Sequence, residues 1–242
     1  MEGASEARSG AALAILRSTG AVLEEDHFVY ISGDHGSGWI DKDAIFPDTK
    51  LASELGALLA AAVAELAAEI VCGPAIGGLI AAQWTAYHLG ALAVFAEHAP
   101  SPPHHGESVP AMPGAALRSP FVLRRGFDRV VQRRRVLVVD DIVNTGHSVR
   151  QTVEAVRVAG GEVVGAACFC TRGNAVASDI GVERFVALTE ILIPNWPAQE
   201  CPLCRGGVPV NSRYAHGADY LARHPASGPA ADLKPLSAPS TP

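Results

Sequence analysis

Residues 135–148 read R-V-L-V-V-D-D-I-V-N-T-G-H-S, and this stretch limits the fold and the chemistry more than any other part of the chain. Val136, Leu137, Val138 and Val139 form a short bounded apolar run of the kind a strand buried on both faces requires. Asp140 and Asp141 stand where such a strand would end. A turn through Thr145, Gly146 and His147 then leads into Val149, Val153 and Val156, a helical spacing, which Gly160 and Gly161 bring to a stop. Strand, acidic pair, small-residue turn and helix aim backbone N–H groups and the positive helix end at one spot, which suits a phosphate. The carboxylates would repel that phosphate. They suit instead the two hydroxyls of a vicinal diol, or a Mg²⁺ ion, so a sugar phosphate meets both demands. A capped strand-to-helix turn of any α/β fold accounts for the glycine and the cap, but leaves two charges at a strand end without a reason.

Around this motif the chain alternates between strand and helix patterns. The spacing predicts a short helix over 6–19, a strand over 27–31, and a Gly-rich turn over 32–39. A long Ala/Leu helix follows over 49–68, capped by Asp48. The strand 70–72 runs into Gly73–Gly78 and a helix to about His88, and 92–96 is another strand. Residues 97–120 hold six prolines and no periodicity, and read as a long mobile loop. Order resumes at Phe121–Leu123, the motif strand and helix follow, and strands are expected over 163–170 and 185–193. Beyond Ala215 the chain is rich in Ala, Pro and Ser and reads as disordered. The expected division is therefore 1–45, a core at 46–215 with the loop 97–120, and a tail at 216–242. Strands alternating with helices imply a parallel sheet, with ligands at the carboxyl ends of its strands. Gly73–Gly78 follows a strand and opens a helix, so its backbone can approach an anion closely.

Bulk properties narrow the function. A length of 242 residues with 48% hydrophobic content supports a substantial core. A net charge of −6 argues against a chain that lives on nucleic acid. No apolar run reaches a membrane span, and the start lacks the pattern of a secretory signal, which points to the cytoplasm. Cys72, Cys168 and Cys170 lie in apolar runs and read as buried thiols. Cys201-Pro-Leu-Cys204 has half the spacing of a zinc knuckle, but no second pair follows and His216 is a poor partner. The pair reads as a local turn, with a metal or redox role as the alternative, and no metal-ligand set is assigned.

Asp140–Ser148 resembles the phosphoribosyl-diphosphate (PRPP) signature of type I phosphoribosyltransferases. Asp140, Asp141, Thr145, Gly146 and Ser148 match it, and Asn144 replaces the usual first Thr. The resemblance implies an α/β fold with a central parallel sheet flanked by helices and a small N-terminal hood. It implies PRPP binding by Asp140, Asp141, Ile142, Val143, Asn144, Thr145, Gly146, His147 and Ser148, with the pyrophosphate held near Gly77 and Gly78. Phe28-Val-Tyr-Ile-Ser-Gly33, Trp39-Ile-Asp-Lys-Asp43, Leu123-Arg-Arg-Gly-Phe127 and Cys201–Cys204 before Gly207-Val-Pro209 are similar to the short bacterial and archaeal branch of the orotate phosphoribosyltransferases, over about residues 10–210. The implied reaction is transfer of the 5-phosphoribosyl group from PRPP to orotate, with Mg²⁺ as cofactor, in a homodimer with shared active sites. Asp140 and Asp141 are the implied catalytic pair, and Asn144 and Arg172 the implied orotate contacts. A planar guanidinium at a strand end suits a carboxylate.

Departures from the family pattern keep alternatives open. The family lysine after the segment Phe95-Ala-Glu97 is His98 here, and no lysine lies within 97–121, although the chain has sixteen arginines to three lysines. Substitutes for that charge are His98, His104 and His105, or Arg118, Arg124 and Arg125, with the arginines beside the ordered strand favoured. Asn144, Asp34 and Gly38 alter the expected base pocket. A transferase for another base, or a catalytically weak PRPP-binding regulator, are the other readings.

Overall fold

The computed structural model describes residues 2–100, 119–173 and 175–224. In chain order it begins with α1 (Glu2–Ser18), β1 (Val22–Leu23), β2 (Phe28–Val29), β3 (His35–Gly36), β4 (Trp39–Ile40) and α2 (Thr49–Val63). There follow β5 (Ile70–Pro74), α3 (Gly77–Leu89), β6 (Leu92–His98), β7 (Phe121–Val122), α4 (Phe127–Val131), β8 (Arg135–Val143) and α5 (His147–Val158). The chain continues with β9 (Glu162–Thr171), α6 (Ala177–Ile180), β10 (Phe185–Glu190), β11 (Asn195–Trp196), α7 (Pro202–Arg205) and α8 (Gly217–Arg223).

Two compact units emerge. The larger comprises Met1–Val22 and Asp41–Leu192, the smaller Leu23–Ile40 with the chain from Ile193 onward. Thus α1 belongs with the large unit rather than with the 23–40 segment, and the chain after 193 leaves the core region expected for 46–215.

The large unit is built on a six-stranded sheet in the order β10-β9-β8-β5-β6-β7. Five strands run parallel, but β7 returns antiparallel along β6, pairing Glu97 with Val122 and His98 with Phe121. The sheet is mixed rather than parallel throughout, because β7 at its edge pairs antiparallel with β6. In β8, Val136 and Val138 belong to the same buried cluster as Val149, Val153 and Val156 of α5. Leu137 and Val139 point to the opposite face and are equally buried. That two-sided burial is why the apolar run is continuous instead of alternating. The Asp48 carboxylate caps α2 as expected, accepting from Lys50 N at 3.0 Å and Leu51 N at 3.1 Å. Gly56 lets α2 approach α3, since a Cβ there would lie 2.6 Å from Trp84 Cβ.

The small unit has a three-stranded sheet, β11-β3-β2, of two-residue strands. Two expectations are corrected here. Residues 217–223 form α8 where a tail was expected from 216, because His216 N bonds to Val29 O at 2.9 Å and Tyr220 packs edge-on against His35. Residues 225–242 lie outside the described residues. The 201–204 segment is more than a local turn: Cys201 and Cys204 converge with His27 and His35, so a candidate metal-ligand set exists where none was assigned. Its histidines come from far upstream, whereas His216 faces Asp219 at 3.6 Å.

Candidate active site

In the large unit, β5, β6, β8 and β9 end along one edge of the sheet, and the site is built at those ends. The acidic pair lies within β8 and not at its end. The ladder continues through Asp140 opposite Cys168 and Ile142 opposite Cys170, up to Val143 opposite Thr171. Both carboxylates are buried. They sit against the turn after β5: a Cβ at Gly77 would overlap Asp141 Oδ2, and one at Gly78 would lie 2.7 Å from Asp140 Oδ1. Only glycine fits at either position. The turn contains a cis Ala75–Ile76 peptide bond.

Asp140 Oδ1 accepts from Asp141 N at 2.9 Å, and Asp141 Oδ1 from Ile142 N at 2.7 Å. Asp141 Oδ2 is buried with no hydrogen-bond partner among the described residues. Such an acceptor is costly unless a ligand supplies the donor. Burial pushes the Asp140 carboxyl well above the usual carboxylate range, and the neighbouring charge of Asp141 adds to the shift. Burial also raises Asp141, opposed by the positive charge of Lys42. In its ionised form the pair can accept hydrogen bonds from two adjacent hydroxyls. Its oxygens are also the donor type Mg²⁺ takes, and the orphaned Asp141 Oδ2 fits such an ion.

Beyond Val143 the chain turns through Asn144 and Thr145 to Gly146, whose φ of 75° is left-handed. A Cβ there would meet Ile180 Cγ1 at 2.9 Å. Gly146 thus delivers the chain into α5, whose opening N–H groups have no partner within the helix and suit an anion. Asn144 and Thr145 are exposed on this loop and His147 and Ser148 on the first turn of α5, while Ile142 and Val143 are tied into the strand. Arg172 N bonds to Val143 O at 2.8 Å. A Cβ on the next residue, Gly173, would lie 3.2 Å from Asn144 Oδ1. The two positions expected to read the base therefore meet where β8 and β9 end.

The positions expected to replace the loop lysine form a separate group. His98 closes β6, stacks on Phe121 with ring centres 4.2 Å apart, and directs Nδ1 to Ser119 O at 2.7 Å. Arg124 Nη1 and Arg125 Nη2 lie 3.6 and 3.2 Å from Glu97, and Arg125 also covers the Phe95 ring. Both guanidinium groups are at least half exposed. His104, His105 and Arg118 lie outside the described residues. One site residue escaped the sequence reading: Lys42, whose charge reaches both carboxylates. Its rarity, as one of three lysines, was the available signal.

Residues 49–203 match the model of the phosphoribosyl transferase domain. The chain belongs to the phosphoribosyltransferase family. It is 38% identical over 196 residues to a protein of Methylobacterium sp. (strain 4-46) named orotate phosphoribosyltransferase, covering 80% of this chain and 89% of that one. A protein of the same name from Caldanaerobacter subterraneus subsp. tengcongensis is 33% identical over 189 residues, covering 78% and 88%. The crystal structure of orotate phosphoribosyltransferase from Aeropyrum pernix superposes with a TM-score of 0.54 at 26% identity, covering 74% of this chain and 92% of that one. The phosphoribosyltransferase fold is therefore the fold of this chain.

Proposed function

We infer that this chain is an orotate phosphoribosyltransferase, which transfers the 5-phosphoribosyl group of PRPP to orotate and yields orotidine 5′-monophosphate and pyrophosphate in pyrimidine synthesis. The observation that carries the reaction is the buried pair Asp140–Asp141, closed in by Gly77 and Gly78 at the head of an anion-binding turn. The choice of base follows the relatives that share four-fifths of the chain.

In this reading Asp140 and Asp141 accept hydrogen bonds from the ribose hydroxyls, with the orphaned Asp141 Oδ2 finding its donor there. The turn 144–148 and the opening of α5 hold the 5-phosphate. The backbone at Gly77 and Gly78 faces the pyrophosphate, and Arg124 and Arg125 supply positive charge as it departs. Lys42 moderates the repulsion between the paired carboxylates. Arg172 and Asn144 orient orotate, so that its ring nitrogen attacks the anomeric carbon while pyrophosphate leaves with the bonding electrons. When bound, Mg²⁺ neutralises charge on the diphosphate.

The reading extends to a homodimer with shared sites and to the cytoplasm. The latter reading rests on the free thiols of Cys72, Cys168 and Cys170, all buried and unpaired by disulfide. Among the described residues no helix is long and apolar enough to cross a membrane. Asn144 in place of the usual Thr sustains a second reading, a transferase for another base. Incubation with PRPP, Mg²⁺ and, separately, orotate, uracil, xanthine and hypoxanthine tests both. Orotidine 5′-monophosphate and pyrophosphate are expected from orotate alone. Turnover of a purine without orotate would favour the second reading, and PRPP binding without any turnover would favour a regulator.

A further inference from the structure

The small unit contains a cluster for which the transferase reaction has no use. His27 and His35 are fully buried, Cys201 is buried beneath them, and Cys204 reaches the surface. One ligand atom from each of the four lies within 4.8 Å of all the others. Around His27 Nε2 stand His35 Nδ1 at 2.8 Å, Cys201 Sγ at 3.6 Å and Cys204 Sγ at 3.7 Å. Cys204 Sγ is also 3.2 Å from His35 Nδ1.

Hydrogen bonding alone does not explain this arrangement. His27 Nδ1 lies 2.8 Å from Val208 O, and a carbonyl can only accept, so Nδ1 carries the proton and Nε2 of a neutral ring carries the lone pair. Three potential donors then converge on a single acceptor, which can satisfy one of them. A cation at the centre would satisfy all four groups at once. With metal–sulfur bonds of about 2.3 Å and metal–nitrogen bonds of about 2.0 Å, the nitrogen-to-sulfur edges of a tetrahedron are about 3.5 Å. The observed 3.6 and 3.7 Å lie close to such edges, while Cys204 Sγ–His35 Nδ1 at 3.2 Å and His27 Nε2–His35 Nδ1 at 2.8 Å are shorter. The shell behind the ligands has the matching form. Val208 O fixes the tautomer and orientation of His27, and Cys204 N points at Cys201 Sγ at 3.5 Å, as an N–H does toward a thiolate in a Cys-x-x-Cys turn.

We propose that His27, His35, Cys201 and Cys204 bind one zinc ion in a closed, structural site. Two soft thiolates with two imidazoles select zinc among the common divalent ions, and four protein ligands leave no position for a substrate. The site joins the β2–β3 hairpin to the α7 turn across a unit whose strands are two residues long. Such a unit has little ladder and little apolar core of its own, the condition in which small folds use a metal. This site goes beyond the transferase reading and shares no residue with it.

The test measures bound metal and not turnover. The full chain, expressed with zinc and purified under reducing conditions in Mg²⁺ buffer, is expected to carry about one zinc per chain by mass spectrometry. A thiol-blocking reagent should release that zinc to a chromogenic chelator. Replacement by cobalt should give the visible bands of a tetrahedral site and a thiolate charge-transfer band. Cys204→Ser changes the exposed ligand and should preserve the fold, while weakening zinc retention against a competing chelator by roughly a hundredfold. Less than a tenth of an equivalent after reconstitution, or cobalt spectra unchanged by Cys204→Ser, would overturn the site. A Cys201–Cys204 disulfide persisting in freshly reduced and re-isolated protein would overturn it as well.

Discussion

The two units are held together by different physics. In the large unit, β8 lies between β5 and β9, and its apolar residues are buried on both faces, so long ladders and packed side chains define the architecture. The polar pair at Asp140 and Asp141 is an exception tolerated inside a stable frame. In the small unit the proportions are reversed. The strands are minimal, and the most buried groups include two imidazoles and a thiol. The contrast separates a frame that can carry a costly site from a frame that depends on one.

The sharpest way to break that contrast is to strip the proposed zinc. Amide exchange within 23–40 and 193–224 should accelerate by roughly a thousandfold, while the amides of β5, β8 and β9 keep their protection. Uniform loss across both units, or no change in either, would show that the units do not differ as described.

The next largest effect belongs to the acidic pair. Asp140→Asn or Asp141→Asn removes a charge-assisted acceptor worth about 1.5–3 kcal/mol, so kcat/KM for PRPP should fall by roughly ten- to a hundredfold. Stability should move the other way. Burial raises both carboxyls above the unfolded value of about 3.9, so the native state holds protons that the unfolded chain has released. The free protein therefore loses stability as pH rises from about 4 through the raised native values, and either Asn variant should flatten that slope. Melting curves from pH 4 to 8 check this, and a variant that unfolds while its folded fraction stays fully active would make the pair structural.

Arg172→Ala should raise KM for orotate by roughly tenfold and leave PRPP binding unchanged, because the lost group is a carboxylate clamp. Equal losses for both substrates would contradict the role proposed for it. The smallest effect is expected from Arg124→Ala with Arg125→Ala, a fall in kcat of about three- to tenfold, because both groups are half exposed and already face Glu97. With arginines in this role the rate should stay flat from pH 6 to 8. A fall over that range, abolished by combined His98→Ala, His104→Ala and His105→Ala, would assign the charge to histidines.

How much could be read from the sequence follows the same division. The strand–turn–helix at 135–158 was legible because its signals are local: an apolar run, a left-handed glycine and a helical spacing of valines. The Asp48 cap was legible for a similar reason, since it lies at a helix end, whereas Asn144 and Arg172 were paired only through the family resemblance. The depth of the acids was not, because nothing in two adjacent charges says that the ladder continues past them. Lys42 acts across space, and its neighbours in sequence do not announce that. His27 and His35 gave no metal signal because their partners lie more than 160 residues away, as the separations of 169 and 174 show. Likewise α8 draws its order from contacts with the 27–35 segment and not from its own composition.

The placement of Asn144 has a bearing on how such a chain could acquire a new specificity. Its backbone belongs to the turn proposed for the phosphate, while its side chain faces the Gly173 backbone at the end of another strand. A mutation there touches two selective demands at once, whereas one at position 172 touches a single demand. Adaptation toward a different acceptor should therefore begin on the β9 side, with changes at 144 following as compensation, and laboratory selections that randomise both positions together should outperform those that vary 144 alone.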